Sequence, residues 1–158
     1  MRIAVVSLAA LALIAGAGYW AMSGSDGSSP TVQLYPEDRQ RTANGRRIYR
    51  QSCASCHGRE LEGQPEWRKA GPDGLMPAPP HDETGHTWHH ADAVLFTLTR
   101  DGLGAILGEN ASYTSAMPAF GDSLTDEEIV DVLSYIKSTW PEDIRATHDD
   151  INARAANG

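Results

Sequence analysis

The sequence predicts an all-α domain of a few helices, preceded by one apolar span and followed by a polar tail. Three stretches carry helical patterning: Asp38 to Ser52, Ala91 to Asp101, and a run that starts at Thr125. No strand-like runs alternate with them. The chain has 158 residues and a net charge of −8. Roughly the first thirty residues do not read as folded, and the remainder suffices for one small domain.

From Ile3 to Met22 there are twenty residues without a charge. At about 1.5 Å per residue they match a hydrocarbon core of roughly 30 Å, so an N-terminal transmembrane helix is expected. Arg2 precedes the span and no basic residue follows until Arg39, which puts the N-terminus in the cytoplasm and the remainder outside. Tyr19 and Trp20 stand where an interfacial aromatic belt belongs. A cleaved signal peptide is the alternative. Against it stand the length of the run and the lack of a small-x-small site after it. The organisation is therefore 1–22 membrane anchor or signal peptide, 23–35 flexible tether, 36–141 main domain and 142–158 polar tail. The expected location is the inner (cytoplasmic) membrane, single-pass, with the domain in the periplasm.

Cys53-Ala54-Ser55-Cys56-His57 is the informative motif. Two thiols three positions apart, followed at once by an imidazole, read as a covalent attachment site for c-type haem. The thiols add to two vinyl groups on one edge of the macrocycle, and His57 places a ring nitrogen on the iron. Cys53 and Cys56 are the only cysteines, so none is left for a structural disulfide. A redox Cys-x-x-Cys pair would want a βαβ context that is missing. Zinc is the stronger rival, with His86 and His89 completing a Cys2His2 set, but the gap from Cys56 to His86 is far longer than finger spacing.

The first helix offers Ala43, Ile48 and Tyr49 as a short apolar stripe, lined by Arg41, Arg46, Arg47 and Arg50. Gly45 inside it costs about 1 kcal/mol relative to alanine, which implies that something presses on the backbone there. Gly45 and Tyr49 lie four apart and share a face. After His57, residues 58–74 are polar and turn-rich. Leu75-Met76-Pro77-Ala78-Pro79-Pro80 follows as an extended strip. A carbonyl on it, from Pro77 or Pro79, is expected to accept from the second ring nitrogen of His57 and fix its tautomer.

His81 to His90 holds four histidines and two carboxylates in ten residues. Such a set can bind copper or zinc. The plainer reading is a polar loop whose Trp88 packs on the haem edge. In the helix after it, Val94, Leu95 and Leu98 form one face with Phe96 flanking, and Gly102 supplies the stop. A long loop then leads to Met117-Pro118-Ala119-Phe120. A thioether is a soft neutral ligand for iron, a His/Met pair raises the reduction potential, and Pro118 restrains the backbone of Met117. Met76, also followed by proline, competes, although it lies on the strip expected to run past His57. Thr125-Asp126-Glu127-Glu128 is a capping box. Ile129, Val132, Leu133, Ile136 and Trp140 recur at helical spacing until Pro141 ends the run.

These features resemble a class I cytochrome c across about Gly45 to Trp140. The resemblance implies a few helices wrapped around one covalent haem c. It implies thioethers at Cys53 and Cys56, His57 and Met117 on the iron, and helices that cross at Gly45 with Tyr49 near Tyr135. The histidine-rich segment and the long loop before Met117 depart from the small members. Iron held on both sides implies an electron carrier, not an enzyme, working by outer-sphere transfer in a respiratory chain with a dehydrogenase, respiratory complex or terminal oxidase as redox partner. The alternatives are a haem enzyme or gas sensor with an open distal site, and a copper-handling protein using His81 to His90. Between Arg39 and Lys69 basic side chains outnumber acidic ones eight to three, a dipole that can orient docking. Nucleic acid is no partner for an acidic exported chain.

Overall fold

The computed structural model describes residues 32–108 and 114–157, and residues Val32 onward form one compact unit. The expected span at 3–22 lies outside the described residues. Among them no helix is long and apolar enough to cross a membrane. Of the stretch 23–35 read as a tether, the part from Val32 is docked. Leu34 is buried, its N–H donates to Asp92 Oδ2 at 2.9 Å, and the N–H of Tyr35 donates to Ser134 Oγ at 2.9 Å.

Helix α1 spans Arg39–Ser52, and the side chain of Asp38 caps it by accepting from the N–H groups of Gln40 and Arg41. The short helix α2, Ala54–His57, follows at once. A 3-10 turn covers Thr87–His89, and α3 spans Asp92–Asp101. A single turn, α4, covers Gly104–Leu107. Helix α5 spans Asp126–Ser138 with both hydrogen bonds of the capping box between Thr125 and Glu128 in place. Helix α6 spans Glu142–Ala156. The described residues form no strand ladder, only an isolated parallel bridge between Met76 and Ser115.

The core lies where α1 meets α5. Ile48, Tyr49, Ile129, Val132, Leu133, Ile136 and Trp140 are buried there, and each large aliphatic side chain contributes about 1.5–3 kcal/mol by leaving water. Gly45 explains the crossing. A Cβ at that position would sit 2.0 Å from the carbonyl oxygen of Asp131 and 2.9 Å from Tyr135 Cβ. The carboxylate of Asp131 then reaches back to α1, accepting from Arg41 Nη1 at 2.9 Å and Asn44 Nδ2 at 2.7 Å. Tyr49 and Tyr135 pack with ring centroids 5.6 Å apart.

Helix α3 presents a different face from the expected one. Asp92, Leu95, Phe96 and Thr99 are buried, whereas Val94 and Leu98 are half-buried. The polar members of that face find partners, which is why they can turn inward. Asp92 accepts from Leu34, and Thr99 Oγ1 donates to Leu95 O at 2.8 Å. Gly102 ends the helix as expected, at φ 85°, with its N–H on Leu98 O.

The stretch 142–158, read as a polar tail, is largely the docked helix α6. Its His148 is fully buried, and Nε2–H donates to His90 O at 2.9 Å. Asn152 Oδ1 accepts the N–H of Asp92 at 2.7 Å, so α6 caps the start of α3. Lys137 Nζ meets Asp149 Oδ1 at 2.5 Å, and Arg145 pairs with Glu37.

Two outcomes follow from this packing. Gly45→Ala drives a methyl into the backbone of α5 and is expected to destabilise the fold by about 3 kcal/mol or more, read by urea denaturation. His148 has a pKa lowered first by burial and then by Lys137, against the opposing pull of Asp92, the His90 carbonyl and Asp149. The unfolded chain thus takes up a proton that the folded one refuses. This share of stability is intact above about pH 6.5 and lost below it, by at most about 1.4 kcal/mol per pH unit. His148→Gln keeps a donor for His90 O without titrating. It is expected to make the acid loss shallower but not flat, because burial also lowers His86 and His90.

Candidate functional site

The site begins at the end of α1, where Cys53 N–H donates to Tyr49 O at 2.9 Å and the chain turns into α2. The N–H groups of Cys56 and His57 both donate to Cys53 O, at 3.1 and 2.9 Å. This one tight turn sets both sulfurs and the imidazole. Both thiols are free, Cys53 half-buried and Cys56 exposed. Burial, and then Cys56, pushes the Cys53 thiol up to about 11, so it is neutral at physiological pH.

His57 is buried, and its Nδ1 lies 2.8 Å from Pro79 O. A carbonyl only accepts, so Nδ1 carries the proton and Nε2 keeps its lone pair. Burial lowers the pKa of His57, which keeps the ring neutral, while the Pro79 bond opposes the shift. Of the two expected carbonyls, Pro79 is the one used. The strip that carries it is pinned from below: Gly63 N–H donates to His57 O, Gln64 N–H to Ala78 O, and Ala78 N–H to Gln64 Oε1. Gly63 sits at φ 68°, and a Cβ there would lie 2.4 Å from Pro80 N, so the chain passes the strip too closely for any side chain. Tyr49 Oη donates to Gly58 O at 3.0 Å and to His57 O at 3.3 Å, tying the helix crossing to the imidazole.

Met117 is half-buried and its segment is anchored at both ends. Met76 N–H donates to Thr114 O at 2.9 Å beside the Met76–Ser115 bridge, and Met117 N–H donates to Ser115 Oγ at 3.1 Å. Beyond it, Phe120 and Gly121 donate to the carbonyls of Thr99 and Arg100 at the end of α3. The strip from Met76 to Pro79 thus runs from the Met117 loop to His57. Met76 does not stay beside His57, as expected from the sequence, but lies next to the Met117 segment.

Of the histidines of 81–90, His86 and His90 meet edge-on with ring centroids 5.5 Å apart, while His81 and His89 pack on other rings. His86 stacks on Trp67 with centroids 5.2 Å apart, and Arg68 lies over the same indole at 4.0 Å. His89 lies against Trp88 at 3.7 Å, and Trp88 Nε1 donates to Glu83 O. Among the described residues no three or more His, Cys, Asp or Glu are grouped to hold a metal ion, so the copper or zinc reading finds no ligand set. His81 instead stacks on His57 with centroids 3.8 Å apart and planes 16° apart. Sequence reasoning missed that pair.

A family model described as cytochrome C oxidase, cbb3-type, subunit III matches residues 40–136. Among curated proteins, cytochrome c6 of Porphyra purpurea is 30% identical over 95 residues, which is 60% of this chain and 68% of that protein. The chain belongs to the class I c-type cytochromes. No solved structure matches it.

The cytochrome therefore carries covalently bound haem c and serves electron transfer. Its residues fit that group. Two free thiols flank one turn, and the adjoining neutral imidazole has its proton on Nδ1 and its lone pair on Nε2. Replacing both Cys53 and Cys56 with alanine is expected to leave haem extractable by acidified organic solvent. In the unaltered cytochrome the colour stays with the protein fraction, whose absorbance is the measurement.

Proposed function

We propose that this cytochrome carries single electrons through one haem, held by thioethers at Cys53 and Cys56 and ligated by His57 and Met117. When bound, haem supplies a one-electron couple between ferric and ferrous iron. The observation that carries the reading is the Nδ1–H bond of His57 to Pro79 O at 2.8 Å. It fixes the tautomer and raises the basicity of the free nitrogen. With two cysteines in the chain, there are thiols for one doubly attached haem only.

Met117 is the second ligand because its backbone is held before and after the sulfur, by Ser115 and by the end of α3. A thioether so restrained changes position little between oxidation states, which favours outer-sphere transfer over chemistry at the iron. The reading makes the protein a carrier without substrate turnover, alone or as a subunit of an oxidoreductase complex. The family description names an oxidase subunit and the Porphyra relative is a cytochrome c6, and electron carriage is what the two have in common. An apolar run at 3–22 with Arg2 before it supports a single-pass anchor in the inner membrane and a periplasmic domain. The partners are redox proteins of a respiratory chain. The arginines exposed on α1 offer an acidic partner a docking side.

The test is spectroscopic. The unaltered protein is expected to be low-spin in both oxidation states, with the weak near-infrared band of a methionine ligand in the ferric form. Met117→Ala should abolish the band, lower the potential and admit carbon monoxide to the reduced protein, whereas Met76→Ala should leave the spectrum unchanged. A swap of these outcomes assigns Met76. Ready binding of carbon monoxide by the unaltered protein would replace the carrier with an open-site haem protein.

A further inference from the structure

His81 follows two prolines, and both of its backbone groups are engaged by distant elements. Its N–H donates to Leu61 O at 2.8 Å, and its carbonyl accepts from Trp140 Nε1 at 2.8 Å. Pro79 and Pro80 restrict the approach to it, and the chain beyond is folded back so tightly that a Cβ on Gly85 would lie 2.0 Å from Pro80 O. The backbone of His81 is therefore fixed, and the ring is placed by the geometry of two aromatic neighbours. One face lies on His57, at 3.8 Å and 16°, and Tyr49 approaches edge-on with centroids 5.9 Å apart. Its Nδ1 is shut off from solvent and has no hydrogen-bond partner.

We infer that His81 is a positioning residue for the iron ligand, its flat imidazole face holding the His57 ring at the angle that keeps Nδ1–H on the Pro79 carbonyl. The hydrogen bond alone leaves the His57 ring free to rock about the Nδ1 to carbonyl line, because one bond defines a direction and not a plane. A parallel ring at stacking distance supplies the missing plane. An aliphatic side chain would fill the space without imposing it. Burial, and then the neighbouring His57 and His86, lower the pKa of His81.

This rests on His57 being the ligand, and it makes a directional claim about the haem-loaded protein. If the stack is removed, the Pro79 bond loosens, His57 becomes a weaker donor, and ferric iron loses stabilisation. His81→Ala is expected to raise the reduction potential and to spread the low-spin electron paramagnetic resonance signal of the ferric form. His81→Phe, which restores a flat face without a ring nitrogen, should return both toward the unaltered values whatever it does to the denaturation midpoint. Should His81→Ala fail to accumulate as holoprotein, His81→Leu, with volume but no plane, takes its place with the same expected shifts. A folded Ala or Leu variant with unaltered potential and resonance overturns the inference, as do equal shifts in the Phe variant. The unaltered protein separates the two levels. If its iron is not low-spin and histidine-ligated, the carrier reading itself falls. If it is, and the variants do not shift, only the role of His81 falls.

Discussion

The absence of a side chain at Gly45 is the constraint on which the rest of the domain hangs. With the Asp131 carbonyl 2.0 Å from where a Cβ would be, the backbones of α1 and α5 touch at one point, and that point sets their register. One turn further along α1, Tyr49 is brought against Tyr135, and its hydroxyl reaches the carbonyls of His57 and Gly58. A packing fact between two helices thus becomes an orienting force on the turn that holds both thiols and the imidazole. The acidic side chain of Asp131 reinforces the crossing through Arg41 and Asn44, so apolar burial and polar pairing select the same geometry.

The two sides of the site are built by different means. The His57 side is rigid through short connections: a four-residue helix, a proline strip and a handful of backbone bonds among residues 57–81. The Met117 side is a loop suspended between the Met76 bridge and the end of α3. The extended strip joins them, since its Met76 end meets the loop and its Pro79 end meets His57. A displacement of the strip would be felt on both sides at once.

Much of this was legible in residues with strong local rules. The capping box at Thr125, the stop at Gly102, the close approach at Gly45 and the carbonyl from the proline strip each follow from a residue whose chemistry allows few roles. The fold departs from the sequence reading where burial is polar. Helix α6 docks through His148 and Asn152 with Ile144 as its apolar contact to the core, too few apolar residues to read as a stripe. The signals present were Pro141 before it, Glu142 and Asp143 in its first turn and Arg154 in its last, matching the helix dipole. Helix α3 turned Asp92 inward because partners distant in sequence satisfy it, and Thr99 because its hydroxyl is satisfied within the helix by Leu95 O. The stacking of His81 depends on where a loop folds back, and a run of four histidines does not say which ring meets His57.

Asp92 couples the two ends of the globule. One of its carboxylate oxygens takes the N–H of Leu34, and the other takes Nδ2 of Asn152, across sequence separations of 58 and 60 residues. Both margins of the globule are therefore fastened to one side chain in its middle. Such remote contacts carry a high loop-closure entropy and are repaid only once the intervening chain is in place. Loss of that one carboxylate would unfasten the segment before α1 and the closing helix together.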